Sequence, residues 1–492
     1  MQVDSPRGTE PSSGPPEAAR EEGALARLGI RFTNWAERWF PDAFVFVAIA
    51  VVVVALGALA NGAPVLAVTK SFGDGFWSLI PFTMQMAFVT IGGYVVATSP
   101  PVQRLIDRMA MIPKTGRGAV GFVAAMTMLS SFLSWGLSLI FGGLLAKALA
   151  RRPVVHAQVR AADYRAAGAA AYLGLGATWA LGLSSSAAQL QANPKSLPPN
   201  LLAITGVIPF SETIFLWQSI LVAAVLFVIS VIIATVSAPG PASAVTAQDL
   251  GVDPAREEER TPPPAQPGEW LEHWPILSIL LVLLGGTWIV QEFARQSWMT
   301  AISNLNTYNL IFITLGLLLH WRPINFLKAV ARSVPATAGI LIQFPLYAAI
   351  SAMLTGAKNA AGTSVSDVIT HAFVSLNTTG SFPVAMGVYS AVLGFFVPSG
   401  GGKWLLEAPY VMQAANELKV HLGWAVMVYN AAEALPNLIN PFFMLPLLGV
   451  LGLKARDIVG FSFLQLIVHL PVVLFLLWAL AFTLTYHPPV MP

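Results

Sequence analysis

The chain contains no cysteine, which excludes disulfides, thiolate nucleophiles and cysteine-ligated metals. It is also poor in charge. Only 10% of its 492 residues are Asp, Glu, Lys or Arg, where a water-soluble chain carries about 25%. The seven histidines show no HExxH or similarly spaced pair, so no metal site is expected. No nucleotide-binding loop is present: Gly400-Gly401-Gly402-Lys403 lacks both the required spacing and a following Ser or Thr. The basic residues sit in short loops beside apolar segments, so the pI near 9.1 does not point to nucleic acid.

What the chain does have is apolar surface. Hydrophobic residues make up 55%, with 14 Trp and 28 Phe, and the mean hydropathy is +0.68. These are the proportions of a polytopic all-α membrane protein with the lipid bilayer as its solvent. Residues 1–22, rich in Pro, Ser, Gly and Glu, read as a disordered tail and not as a cleavable signal. The expected organisation is a tail and interfacial entry over 1–40, a first membrane half over 41–237, a linker over 238–273 and a second half over 274–492. The linker holds Glu257-Glu258-Glu259 and Pro262-Pro263-Pro264.

The apolar run 118–149 decides the topology. Arg104, Arg108, Lys114 and Arg117 precede it, and Lys147, Arg151, Arg152, Arg160 and Arg165 follow it. Positive flanks prefer the cytoplasm. Both flanks share that side if the run enters and leaves as a hairpin. A single long helix is the plainer alternative. Treating 382–418 likewise leaves about nine crossings, an inside N-terminus, an outside C-terminus and most Lys and Arg inside. The two hairpins then open on opposite faces, which makes the halves inverted-topology repeats, each with a re-entrant hairpin and a broken transmembrane helix. Amphipathic stretches 101–111 and 366–376 are expected along the interface.

Two short motifs interrupt these runs: Ser130-Ser131-Phe132-Leu133-Ser134-Trp135-Gly136, and Phe396-Val397-Pro398-Ser399-Gly400-Gly401-Gly402-Lys403-Trp404. Hydrocarbon satisfies no bare backbone group, so such tips survive only where protein encloses them. Each hairpin precedes a span that is itself broken, at Gly182-Leu183-Ser184-Ser185-Ser186 and at Glu433-Ala434-Leu435-Pro436-Asn437-Leu438-Ile439-Asn440-Pro441. Paired interruptions in two halves are the sequence mark of a transporter's substrate site. Half-helix N-termini suit a carboxylate. The candidate substrate-binding residues are Ser130, Ser131, Ser134, Ser184, Ser185, Ser399, Gly400, Gly401, Asn437 and Asn440. For any one serine, helix packing is the plainer role. Glu433, an acid inside a predicted crossing, is the candidate ion-coupling residue. Lys403 could pair with a substrate carboxylate, with snorkelling to the outer surface the plainer role, and Glu407 and Glu212 read as solvated carboxylates near helix ends.

At these residues the chain resembles the short-chain fatty acid transporter family (the AtoE-like transporters) from Arg31 to Tyr486. The resemblance rests on the 396–404 motif, on Ile208-Pro209-Phe210-Ser211-Glu212-Thr213-Ile214-Phe215, on Asn309 to His320 and on Asn437 to Gly449. It implies carriage of short monocarboxylates, such as acetoacetate or butyrate, across the bacterial inner membrane. It also implies membership of the ion-transporter superfamily, whose members are often dimers with an elevator-like transport domain. A homodimer is therefore an expected assembly. The family pattern has an Asp where this chain has Glu433, a Thr where it has Pro436 and a Gln where it has Asn440. These changes keep the carboxylate and alter the cavity.

The resulting expectation is a secondary carboxylate transporter rather than an enzyme, with no cofactor and with H⁺, or else Na⁺, as coupling ion. A carrier of another small carboxylate (di- or hydroxycarboxylate) is the nearest alternative. A passive channel and a membrane-embedded enzyme are more distant ones. An enzyme would need an intramembrane acid–base or metal cluster, and Glu433 alone presents itself.

Overall fold

A computed structural model describes residues 38, 43–152, 162–240, 244–255, 263–396 and 400–491. Nearly all of the expected N-terminal tail, and Ser399, lie outside them. Among the described residues the chain is helical without strands. The first half comprises α1 (Ala43–Ala60), α2 (Val65–Ser78), α3 (Ile80–Thr98), α4 (Pro100–Met109), α5 (Gly116–Leu133) and α6 (Trp135–Ala150). It continues with α7 (Tyr164–Leu173), α8 (Ser186–Ala192), α9 (Pro199–Thr205) and α10 (Trp217–Ser237). After the linker come α11 (Glu269–His273), α12 (Ile276–Arg295), α13 (Trp298–Ser303), α14 (Leu305–His320), α15 (Pro323–Ser333) and α16 (Ala338–Gly356). The chain closes with α17 (Val365–Leu376), α18 (Phe382–Phe396), α19 (Gly400–Glu417), α20 (Leu422–Asn437), α21 (Pro441–Leu451) and α22 (Ala455–Ala481).

Seven of these stretches are long and apolar enough to cross a membrane. They are fewer than the crossings expected because several apolar helices, such as Val47–Ala60 and Leu305–His320, fall short of full span length. Apolar side chains face outward along much of the molecule. On α12, Leu280, Leu281, Leu283, Leu284 and Val290 are all more than half exposed, which hydrocarbon tolerates and water does not.

Local sequence sets the breaks. Thr115 caps α5 by accepting from Gly118 N–H. Ser134 adopts an extended backbone, ends α5, and caps α6 by accepting from Leu137 N–H, the usual work of a serine at a helix start. The two arms fold back and pack on each other, so 118–149 is a helical hairpin and not a continuous rod. Between α7 and α8 the backbone passes through a π turn at Gly174–Thr178 and a 3-10 turn at Trp179–Leu181. Such turns expose carbonyls that a regular helix would consume. α4 and α17 lie at the amphipathic positions, with α17 opened by a Ser364–Asp367 capping box.

Two apolar cores interlock the halves. One joins the first hairpin (Val123, Leu139) to the turn after α20 (Leu438) and to α21 (Met444). The other joins α19 (Leu405, Met412) to Leu181 and Leu190 of the first broken span. The linker does more than connect. Val245 O accepts from Tyr164 N–H at 2.8 Å, Asp163 Oδ2 accepts from Val245 N–H at 3.1 Å, and Arg151 Nη1 donates to Pro254 O at 3.2 Å. Residues 244–255 are thus strapped to the foot of the first hairpin. At the opposite end of the chain, Val207 N–H donates to Val490 O at 2.8 Å. That contact brings Gly206 against the Val490 backbone at φ +61°, where a side chain would be both strained and crowded.

Candidate substrate site

The first broken span runs between the two hairpin tips. Leu183 N–H donates to Phe132 O at 2.8 Å, and Trp135 N–H donates to Ser184 Oγ at 2.9 Å. Ser131 and Thr178 hydroxyls lie 2.8 Å apart, and Tyr308 OH donates to Leu133 O at 2.6 Å. A Cβ on Gly182 would come within 2.6 Å of Phe132 O. The first tip is therefore fully tied into the break at Gly182–Ser185.

On the other side of that break sits the start of α19. Gly400 has no room for a Cβ against the Trp179 indole, and a Cβ on Gly401 would meet Ser186 Cβ at 3.0 Å. The glycines serve close approach here, in the first turn of a helix, rather than a break in its middle. Tyr429 OH donates to Gly400 O. Ser399 lies outside the described residues.

The second broken span crosses next to the first. α20 ends at Asn437, a turn covers Leu438–Asn440 and Pro441 opens α21. Tyr172 OH donates to Asn437 O at 2.6 Å, and Asn440 Nδ2 donates to Phe395 O at 3.4 Å. Asn437 itself is fully buried, and neither Oδ1 nor Nδ2 has a hydrogen-bond partner among the described residues. Leaving such an amide unpaired costs roughly 1–3 kcal/mol per group, so a bound ligand is its natural complement.

Beside Asn437 lies a buried ionic cluster. Lys403 Nζ is 2.8 Å from Glu433 Oε2 and 2.7 Å from Glu407 Oε1, and all three side chains are fully enclosed. The ammonium aims its hydrogen bonds at Glu407 Oε1 (2.7 Å), Ser390 Oγ (2.7 Å) and Ser390 O (3.1 Å). Glu433 is held by its close ion pair to Lys403 without the Ser390 hydroxyl bond that Glu407 receives. This corrects two sequence expectations. Lys403 does not snorkel outward, and Glu407 is not solvated. Both are held inside because α19 packs against α18 and α20, carrying its inward face away from lipid and water alike. Glu433 is therefore not the lone intramembrane acid. Glu212 is partly exposed, as expected of a helix-end carboxylate.

The predicted serines divide by what their hydroxyls do. Ser130 donates to Thr127 O at 2.8 Å and Ser131 to Met128 O at 2.7 Å, the ordinary back-bond of a helical serine. Ser184 and Ser185 instead accept, from Trp135 and Ala188 N–H, so each keeps a hydroxyl proton to give. Trp179 and Trp404 were not singled out from sequence, yet the buried indole N–H of each lacks a partner among the described residues. An indole closing the 396–404 motif was the available signal for Trp404.

Away from this site, Glu212, His421 and His487 bring ligand-type atoms within 4.8 Å of one another. His421 Nδ1 accepts from Trp424 N–H at 3.0 Å, which puts the proton of the neutral ring on Nε2. In this arrangement His421 serves as a helix cap and His487 Nε2 stands 3.1 Å from Glu212 Oε2.

Interlocked broken helices around an enclosed polar centre, in a helical body with apolar side chains facing outward, are the arrangement of a membrane transporter's substrate site. The chain belongs to the short-chain fatty acid transporter family, whose sequence profile it matches over residues 24–480. It is 33% identical over 445 residues to a protein described as a short-chain fatty acid transporter in Escherichia coli (strain K12), covering 90% of this chain and 97% of that one. A similarly described protein of Haemophilus influenzae is 30% identical over 456 residues, covering 91% and 98%. Two solved structures share the fold. Neisseria gonorrhoeae MtrF, from a class of antimetabolite efflux pumps, matches with TM-score 0.57 at 13% identity, over 94% of this chain and 100% of its own. The Alcanivorax borkumensis YdaH transporter matches with TM-score 0.54 at 15% identity, over 90% and 98%.

Proposed function

We propose that the protein is a secondary transporter of short-chain monocarboxylates, such as acetoacetate or butyrate, in the bacterial inner membrane. Its N-terminus is cytoplasmic and its C-terminus periplasmic, the hairpins 118–149 and 382–418 are re-entrant from opposite faces, and the halves are inverted repeats. Alternating access follows from a hairpin-bearing unit moving against a scaffold in each protomer of a homodimer. No nucleotide loop is available to drive uphill transport, so an ion gradient does, with H⁺ ahead of Na⁺ and Glu433 as the coupling group.

The observation that carries this reading is Asn437, whose amide is fully enclosed at a helix break and unpaired on both atoms. A carboxylate oxygen complements its Nδ2. Ser184 and Ser185 have hydroxyl protons to add from the facing break, with Asn440, Gly400 and Gly401 completing the wall. Ser130 and Ser131 are the weaker members of the set, because their protons are already committed. Labelled butyrate counterflow in proteoliposomes tests the proposal. Flux should saturate, be stimulated by butyrate on the far side, and fall to background in Asn437→Ala. A linear, unsaturable flux would indicate a channel. Competition across C2 to C6 acids, with di- and hydroxycarboxylates alongside, identifies the substrate class.

A further inference from the structure

The buried cluster of Lys403, Glu407 and Glu433 holds one cation and two carboxylates. The bonds within it are unequal. Glu407 is hydrogen-bonded to the ammonium, is also bonded by Ser390 Oγ at 3.2 Å, and stands four residues from Lys403 on the same helix. Glu433 comes from another helix and is held by the 2.8 Å ion pair to Lys403, with no bond from Ser390. Glu407 is thus the fixed counter-charge and Glu433 the exchangeable one. Gly394 makes the exchange sterically tight. A Cβ there would meet Glu433 Oε2 at 2.9 Å and Lys403 Cε at 3.2 Å, so the pair is pressed against the bare α18 backbone. One turn further along α20, on the same face as Glu433, is the unpaired amide of Asn437.

We infer that Lys403 binds the substrate carboxylate in exchange for Glu433, which leaves the ammonium by taking a proton. The inference deepens the transport reading and rests on it. The charge balances. When empty, the cluster holds Lys403 as a cation with two carboxylates. When loaded, the substrate carboxylate replaces Glu433 at Nζ while Glu433 becomes a neutral acid. One anion and one proton enter together, and the net charge buried in the membrane is unchanged. Proton without anion, or anion without proton, would alter that charge in a low-dielectric site, which is costly. Coupling is then a consequence of charge conservation at one lysine.

The groups around Glu433 suit this role. Lys403 and Glu407 face it from α19, with Ser390 and Tyr389 on α18. Tyr429 lies on its own helix, its ring 4.2 Å from Lys403 Nζ, and Tyr410 and Tyr347 complete the surround. The broken span 174–192, which packs on α20, contributes no ionisable carboxylate, amine or imidazole. Glu433 is therefore the exchangeable proton acceptor next to the ammonium.

The test is proton uptake on binding. Purified full-length protein in detergent, in weakly buffered medium near neutral pH with a pH dye, is titrated with butyrate while binding is measured by equilibrium dialysis of the labelled acid. The wild type should take up about one proton per butyrate bound, with or without Na⁺. Glu433→Gln should bind butyrate and lose the proton uptake. Lys403→Gln should weaken binding by at least about 30-fold, and Lys403→Arg, which keeps the charge should the neutral variant misfold, should weaken it less and still take up a proton for each butyrate bound. Butyrate binding without proton uptake by the wild type, or binding that requires Na⁺ instead, overturns the inference and leaves the transport reading standing. Uptake surviving in Glu433→Gln, or undiminished binding in Lys403→Gln, overturns it as well. Failure of the wild type to bind any C2 to C6 acid removes the transport reading and this inference together.

Discussion

Lys403 Nζ and Glu433 Oε2 stand 2.8 Å apart with both side chains fully buried, one from the first turn of α19 and the other from the end of α20. Each residue alone would be expelled toward water, because an unpaired ion in this interior costs several kcal/mol. Together they pin the glycine tip of one helix to the break of another.

Removing the cation should therefore unbalance the interior. Lys403→Met leaves two enclosed carboxylates without a counter-charge and should cost about 3–5 kcal/mol, read as a large fall in Tm in detergent. Adding Glu407→Gln and Glu433→Gln to it should recover most of that loss. A Lys403→Met protein as stable as the wild type would contradict the pairing.

The join between the first tip and the first break depends on a missing Cβ. In Gly182→Ala the new methyl would lie within 2.6 Å of Phe132 O, separating Leu183 N–H from its acceptor. A loss of roughly 1–3 kcal/mol is expected from such overpacking. Gly286→Ala, at a position with open space around it, is the control and should change stability little.

Tyr308 reaches from α14 to the last turn of α5, where its hydroxyl donates to Leu133 O. Tyr308→Phe strands that carbonyl and should cost about 1–3 kcal/mol. Faster amide exchange in residues 130–136, with the rest of the protein unchanged, would be its local signature.

Acid should loosen the end of the molecule where α20 begins. His421, in the loop before that helix, is pushed down to about 4 by burial first and then by the neighbouring His487. The unfolded chain would protonate His421 near the ordinary imidazole value of about 6.5. Between those two values the unfolded state holds more protons, so stability falls as pH drops from about 6.5 toward 4 and is unaffected above that window. The loss is on the order of 2 kcal/mol. His421→Asn keeps an N-cap acceptor for Trp424 N–H and should flatten this part of the pH–Tm curve. An unchanged slope would remove His421 as its source.

Much of this site could be read in the sequence because its devices are local. Ser134 and the Gly182–Ser186 run stand in apolar surroundings that no helix interior would choose, and Pro436 to Pro441 punctuate the second break in the same way. The burial of Lys403 was not local. A lysine beside an apolar tip ordinarily reaches for the surface, and the partner that retains it, Glu433, lies 30 positions later on another helix. Glu407 offered a partial clue, standing four residues after Lys403 in helical register. The docking of 244–255 onto the first hairpin was hidden for the opposite reason: its grip is backbone hydrogen bonding to Asp163, Tyr164 and Arg151, which composition does not encode. The choice between donating and accepting serines likewise needed coordinates, since Ser130 and Ser184 are chemically identical in the sequence.

Covalent mapping of a short-chain carboxylate carrying a photoreactive diazirine tests most directly whether the crossing of the two broken spans is the substrate site. Label protectable by excess butyrate should fall within peptides spanning 130–138, 178–190 and 400–440, and should disappear from them in Asn437→Ala. Butyrate-protected label concentrated elsewhere, for example on the outward-facing helix Ile276–Arg295, would contradict the account.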